Sequence, residues 1–405
     1  MRRSTKHIFP MLCIIVILAG VLVLFESNPA ILQSLPWLAP DEPPAVEPLP
    51  PEDQTPEVDP PADEPGGQEP PEDEPPEDDP PAKPTTVVAL TGSFYTYEEM
   101  KEDMAQLCTY YPDILSYRAY GTSADGRELL CATLGNPAAG KQVIITAGMH
   151  AREYVNSYAV MLQIEYYLQN YDTATYKGYP LRTLLDEVCF VIAPMTNPDG
   201  ITLAQEGIGA IRSEALRKTI RDICRTLGLK SDAAIDEYLN KSWKSNARGV
   251  DVNRNFDALW AEHADGVGMP WVKNYKGAAA LSEPEAAGLV ALTESLSDPV
   301  ASVCIHSQGE IIYWRCFQGG ISEVRNRRLA ELASRITGYA IIDENQTEPS
   351  FSNWTILARD IPTITVETGL GGYPQDPATM TEAILNDIRD LWAALALEYG
   401  DFGKG

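Results

Sequence analysis

The sequence predicts an α/β domain built on a largely parallel or mixed central sheet. Short, continuous apolar runs rich in β-branched residues recur along the chain, and stretches of helical periodicity separate them. Several of the runs empty into dense turn signals, such as Ala147-Gly148 and Asn197-Pro198-Asp199-Gly200. In open α/β sheets ligands bind beyond the carboxyl ends of strands, so those junctions are where chemistry is expected.

The folded part begins near Val87. Tyr95 to Tyr111 has helical periodicity and stops at Pro112-Asp113. Two strands follow, around Leu115–Tyr120 and Arg127–Leu134, joined by a turn at Ser123-Ala124-Asp125-Gly126. Val143-Ile144-Ile145-Thr146 reads as a buried strand that delivers His150 and Glu153 into the next turn, and a helix opens through Tyr158, Met161, Leu162, Ile164 and Tyr167. Val188 to Pro194 is another buried strand. Ile201 to Asn240 reads as mostly helical, and Trp243 to Phe256 as a polar loop. A helix lies between Ala278 and Leu296, with its N-cap region at Ser282-Glu283-Pro284-Glu285. Val300–Ile305, Ile311–Cys316, Tyr339–Ile342 and Thr363–Val366 complete the strands.

Upstream of Val87 the composition changes. Residues 1–7 are a basic flank, and Ile8 to Phe25 is an uncharged apolar run of 18 residues. That run is longer than most signal cores and close to the roughly 20 residues that span a bilayer. No clear A-x-A site follows it directly, which favours an uncleaved anchor with its N-terminus inside over a cleaved signal. Either way the remainder is expected outside the cytoplasm. Residues 26–86 read as a stalk. Between Asp41 and Lys83, 15 of 43 residues are proline and 16 are acidic against one lysine, so this segment carries −15 of the chain's net −27. Such a stretch cannot bury a core and stays extended, spanning roughly 130 Å at about 3.1 Å per residue. It acts as a spacer or as an inert linker. The acidity is therefore mostly that of a tail, and no basic surface argues for nucleic-acid binding. Hydrophobic residues make up 44% of the 405, enough for a sizeable core from 87 to 405. Seven cysteines show no disulfide framework. Cys131, Cys189 and Cys304 sit in strand-like runs, and mostly free, buried thiols are expected.

Four histidines limit any metal site: His7 precedes the apolar run, His263 lies in a stretch without strand signal, and His150 and His306 stand at strand ends. An imidazole and a carboxylate three residues apart, His150 and Glu153, can reach one ion. With His306 they give the two-nitrogen, one-oxygen set that suits zinc with a fourth position for water. Taken singly, a surface ion pair at His150/Glu153 and a hydrogen-bonded strand-end histidine at His306 remain open.

Five segments, in order, resemble the signatures of the carboxypeptidase A-like zinc metallopeptidases. They are His150-Ala151-Arg152-Glu153, Asn197-Pro198-Asp199-Gly200, Asp251-Val252-Asn253-Arg254-Asn255-Phe256, Ile305-His306-Ser307 and Thr365-Val366-Glu367-Thr368-Gly369. The resemblance runs from about Phe94 to Tyr399. It implies a three-layer α/β/α domain with a mixed, mostly parallel sheet, one Zn²⁺ per chain, and His150, Glu153 and His306 as its ligands. It also implies Glu367 as general base, Asn253 and Arg254 as the clamp on a substrate's terminal carboxylate, and Arg152 as a substrate-binding residue, with Ser307 beside them. Arginine suits the clamp because its planar fork takes a carboxylate bidentately. With no anionic partner in the cleft, it would favour substrates that bring one; a loop salt bridge is the alternative for Arg254.

The chain departs from the pattern in three places. Lys244 follows Trp243 where the family has its oxyanion arginine, leaving Lys244 or, failing that, Arg248 for that role. The family's capping tyrosine has no match, the count falling near Asn345. Ser352 stands at the side-chain-preference position and suits neither a purely apolar nor a strongly basic side chain. Glu310 to Trp314 and the GLGGYP run are more similar to bacterial members, including gamma-D-glutamyl-diamino acid peptidases, that cut peptidoglycan stem peptides. No inhibitory prodomain is expected, the stalk taking its place. The expectation is a membrane-tethered, exported zinc carboxypeptidase acting on peptides with a free carboxyl end, and cell-wall stem peptides are candidate substrates. The alternatives are an endopeptidase or L,D-type peptidase on stem peptides, a deacylase-like amidohydrolase, and an inactive binding module.

Overall fold

The computed structural model describes residues 84–264 and 266–402; the anchor expected at Ile8–Phe25 and the expected stalk up to Lys83 lie outside the described residues. Among the described residues no helix is long and apolar enough to cross a membrane.

The strands are β1 (Leu115–Thr122), β2 (Glu128–Leu134), β3 (Lys141–Thr146), β4 (Thr175–Tyr176), β5 (Tyr179–Pro180), β6 (Val188–Ala193), β7 (Pro299–His306), β8 (Ile311–Tyr313), β9 (Ala340–Ile342) and β10 (Thr363–Glu367). The helices are α1 (Tyr97–Tyr110), α2 (Val155–Asn170), α3 (Leu181–Glu187), α4 (Pro198–Glu206), α5 (Glu214–Thr226), α6 (Asp232–Ser242), α7 (Pro284–Glu294), α8 (Gly320–Thr337), α9 (Phe351–Arg359), α10 (Pro377–Ile388) and α11 (Leu391–Tyr399). Eight strands form one mixed sheet in the order β1-β2-β6-β3-β7-β10-β8-β9, and β4 and β5 pair separately. The inner strands β6, β3, β7 and β10 run parallel, as do β8 and β9, while β1, β2 and the β10–β8 junction are antiparallel.

Side chains alternate across the sheet, so each strand feeds two cores. Val143, Ile145, Phe190, Ile192, Val303 and Ile305 join one core with α1, α2, α8 and α11. Ile144, Val191, Ala193 and Cys304 join the other, which α7 closes with Ala286, Leu289 and Leu292 and α9 with Phe351 and Trp354. Helices thus cover both faces, which gives three layers. Both faces being apolar explains why these strands read as continuous hydrophobic runs.

The expected elements are present with shifted ends. The long helical stretch after Ile201 is three helices, α4 to α6, broken where Gly207 and Gly228 take positive φ of 81° and 83°. The run expected as a strand to Cys316 stops at Tyr313, because β8 pairs over only three residues with β10 and β9. Helices α8 to α11 carry no sequence assignment. In α11 nearly every residue is apolar, so no helical stripe stands out. Six cysteines, Cys108, Cys131, Cys189, Cys224, Cys304 and Cys316, are free, and all but Cys108 are buried.

Candidate metal centre and cleft

In the sheet order the strand after β3, β6, lies on one side and the strand after its other neighbour β7, β8, lies on the far side, so the chain exits diverge and open a crevice at the carboxyl ends of β3 and β7. Gly148 makes the first turn of the exit at φ +64°, where a β-carbon would sit 2.4 Å from Ser157 Oγ. His150 follows, and a single 3₁₀ turn at Ala151–Glu153 brings Glu153 back beside it. His306 is the last residue of β7 and Glu367 the last of β10; they are register partners.

His150, Glu153 and His306 are buried, and their ligand atoms lie within 4.8 Å of one another. His150 Nδ1 is 3.0 Å from Glu153 Oε1, and His306 Nδ1 is 3.1 Å from Glu153 Oε2 and 3.2 Å from His150 Nδ1. The far nitrogen of His150, Nε2, lies 3.2 Å from buried Asp251 Oδ1. The pair makes no hydrogen bond, but a carboxylate on that side of the ring, with Nδ1 facing the cluster, is the outer-shell arrangement of metal-binding histidines. Two imidazole nitrogens and a carboxylate converging on one buried point fit a zinc ion. Burial opposes the charge on Glu153, but the His150 and His306 imidazoles outweigh it and hold the carboxyl well below its usual range. Asp251 is likewise held low against burial by His150, Arg254 and Lys244.

Around this point opens a cleft of about 180 Å³, lined by His150, Lys244, Asn253, Arg254, Tyr313, Gln346, Glu348, Ser350, Ser352, Thr365 and Glu367. Burial pushes the Glu367 carboxyl up to about 7; the His306, Lys244 and Arg254 charges oppose that, and Glu153 adds to it. A carboxyl poised there gains and loses a proton near neutrality. Its tip opens to the cleft, where Glu367 is partly exposed.

Five of the expected residues outside the metal set therefore meet in one cavity: Lys244, Asn253, Arg254, Ser352 and Glu367. Asn253 Oδ1 accepts from Phe351 N at 3.2 Å, tying the arginine's loop to α9. Three others are placed elsewhere. Arg248 is half-exposed, faces Glu283 at 3.6 Å and is not part of the cleft lining. Ser307 is buried as scaffold: its hydroxyl accepts from Asn156 Nδ2 at 2.8 Å, its N–H donates to Glu153 Oε2 at 3.3 Å and its carbonyl accepts from the Tyr373 hydroxyl. Arg152 stacks its guanidinium 3.7 Å from the Tyr373 ring centre and is not part of the cleft lining. Asn345 caps the Phe317 N–H instead of facing the cleft.

The Asn-Pro-Asp-Gly segment is structural. Asn197 donates to the carbonyls of Met149 and Ser245 at 3.2 Å each, joining the His150 exit to the Lys244 loop, and its Oδ1 caps α4 at Gly200 N. Asp199 is buried against Ser123, Asp125 and Arg127. Sequence reasoning missed Glu348, Gln346 and Tyr313. Tyr313 reaches the cleft as the strand partner of Thr365, a pairing the sequence does not state; Glu348, in a loop of no regular pattern, left no signal.

Arg254 is not without an anionic partner, contrary to expectation: Glu348 Oε1 lies 3.7 Å from its Nη2. That is too long for a hydrogen bond, so the fork keeps donors for a ligand.

Known proteins share this architecture. The chain is 30% identical over 283 residues to the Gamma-D-glutamyl-L-diamino acid endopeptidase 1 of Lysinibacillus sphaericus, covering 69% of this chain and 67% of that one. It is 29% identical over 197 residues to Carboxypeptidase B of Astacus astacus, covering 48% of this chain and 54% of that one. The crystal structure of the carboxypeptidase A from Helicoverpa armigera superposes with a TM-score of 0.57 at 18% identity over 76% of this chain and 74% of that one, a likeness of fold. Residues 100–370, more than half of the chain, match the family model described as zinc carboxypeptidase, and with the His150, Glu153 and His306 set in place the chain belongs to the zinc carboxypeptidase family.

Proposed function

We propose that the protein is a zinc-dependent carboxypeptidase that hydrolyses the C-terminal peptide bond of peptides, with Glu367 as general base. A zinc ion held by His150, Glu153 and His306 supplies Lewis acidity at a substrate carbonyl and makes water more acidic. Glu367 takes the proton of the attacking water and passes it to the leaving amine, a role suited by its place in the cleft beside the metal ligands. Arg254 and Asn253 orient the terminal carboxylate, and the Lys244 ammonium offsets the charge that develops on the carbonyl oxygen. The single observation that carries the exopeptidase choice is that Arg254 lines the same small cleft as His150 and Glu367.

A second reading, an endopeptidase on cell-wall stem peptides, is supported by the likeness to the Lysinibacillus sphaericus endopeptidase. The two separate on a peptide library assayed with free and with amidated carboxyl ends. Amino acids released one at a time from free-acid peptides alone support the carboxypeptidase; internal cuts in both sets support the endopeptidase.

A further inference from the structure

Three buried polar residues outside the cleft lining are joined to one another: Asn156, Ser307 and Thr368. Each stands close in the chain to a residue of the centre. Asn156 lies on α2, three residues after Glu153, while Ser307 follows His306 and Thr368 follows Glu367. Asn156 Nδ2 donates to Ser307 Oγ at 2.8 Å, and Asn156 Oδ1 accepts from Thr368 Oγ1 at 2.6 Å. The Thr368 hydroxyl also lies 3.1 Å from the His306 carbonyl, which accepts from Thr368 N at 2.8 Å. Ser307 N donates to Glu153 Oε2 at 3.3 Å, so the network reaches a ligand directly.

The sheet alone does not make these ties. Strand pairing sets β10 against β7 and β8, and it ends at Glu367 with its partners His306 and Ile311. None of that pairing reaches α2, the helix that continues the His150–Glu153 turn. Asn156 supplies the link with one planar amide. Its nitrogen holds the exit from His306 and its oxygen holds the exit from Glu367. Losing any one member leaves a buried polar group without its partner, so the three act as a unit. The chemistry makes that spacing matter. A general base works only within hydrogen-bond reach of the proton it takes, and a misplacement of about 1 Å costs roughly 10²-fold.

We propose that Asn156 and Thr368 are positioning residues for the reaction: their amide–hydroxyl pair sets where Glu367 stands relative to His306 and Glu153. The proposal rests on Glu367 being the base. Neither residue touches substrate; both act through the backbone that carries the carboxylate.

The test compares Thr368→Val, which keeps the shape and removes the hydroxyl, with Thr368→Ser, which keeps the hydroxyl. Zinc content, KM and kcat are measured on the purified full chain with free-acid peptides. Thr368→Val is expected to keep one zinc per chain and a KM within about threefold of wild type while kcat falls roughly 10- to 100-fold. Thr368→Ser is expected to stay within about threefold of wild-type kcat. In a Glu367→Gln background Thr368→Val should cost less than about threefold more, because a base that is absent cannot be misplaced. If Thr368→Val does not fold, Ser307→Ala, which strips only the hydroxyl partner of the amide, is read in its place. The same pattern is then expected with kcat down about three- to tenfold, the scale of one hydrogen bond.

An unchanged kcat, or a loss that Thr368→Ser shares, overturns the proposal. So does an equally large loss in the Glu367→Gln background. Zinc falling together with activity overturns it as well, since the network would then hold the ligands and not the base. Should Glu367→Gln turn over too slowly to measure, zinc, KM and the valine–serine comparison decide. Glu367→Gln that remains active refutes the base itself, and the positioning with it. An inactive Glu367→Gln beside a fully active Thr368→Val leaves the base in place and removes only the positioning role.

Discussion

Arg254→Ala removes the one guanidinium in the cleft lining, and its cost is expected to depend on the substrate's terminus. Two unit charges 4 Å apart attract by about 4 kcal/mol at an effective dielectric of 20, the value for partly buried pairs. Arg254 fits that regime, its side chain being 17% exposed. Glu348 at 3.7 Å offsets part of the field in the free protein, but in the mutant it stands unpaired and repels the incoming carboxylate. A loss of about 2–5 kcal/mol is expected, the scale for breaking a desolvated charge pair, or roughly 30- to 4,000-fold in kcat/KM on free-acid peptides. On amidated peptides no ion pair is lost, and the change is expected within about threefold. Steady-state hydrolysis of matched free and amidated peptides reads both numbers. Arg254→Ala/Glu348→Gln is expected to recover part of the free-acid loss, because the two residues couple. Equal losses on both termini, or none on either, would refute a role for Arg254 in reading the carboxylate.

Three further outcomes are expected. His306→Ala removes one of three metal ligands, so metal analysis of the purified protein should show less than one zinc per chain; an unchanged content removes His306 from the site. Burial pushes the Glu285 carboxyl up to about 8, with Asp199 and Glu283 adding to it against a hydrogen bond from Asn246. A carboxyl raised in the folded state lends stability that is complete below about 4.5 and is lost as pH rises through about 8. Glu285→Gln should flatten that decline, on the order of a few kcal/mol between pH 5 and 8 in urea unfolding, and an unchanged slope contradicts it. Retention of Ile8–Phe25 as an anchor should keep full-length protein in the membrane fraction after a carbonate wash; an N-terminus found beyond Ser27 indicates a cleaved signal instead.

The strands and the metal set were legible because strict physical requirements write themselves locally. A strand with both faces buried must be apolar throughout, as Val188–Ala193 is, and a ligand pair at the end of Lys141–Thr146 must be close in sequence to share one turn. His306 and Glu367 come from distant segments, yet each is the last residue of its strand, which the sequence pattern marks. The cleft wall was less legible. Tyr313, Gln346 and Glu348 reach it through a three-residue strand and a loop, where no periodicity constrains the residue type. Two expected substrate-binding residues stand outside the cleft lining for the opposite reason. Ser307 and Arg152 stand next to ligands in sequence, but their side chains turn to Asn156 and Tyr373, and sequence adjacency carries no direction.

The most direct test of the central claim is Glu367→Gln, with hydrolysis and zinc measured on the same preparation. Glu367 lies beside His306 at the strand ends but is not one of the three clustered ligands, and glutamine keeps its shape while removing its basicity. One zinc per chain should remain while kcat falls roughly 10²- to 10⁴-fold, the contribution of a positioned acid–base group. Activity within a few-fold of wild type, or loss of the zinc together with the activity, would contradict Glu367 as the base of a zinc peptidase.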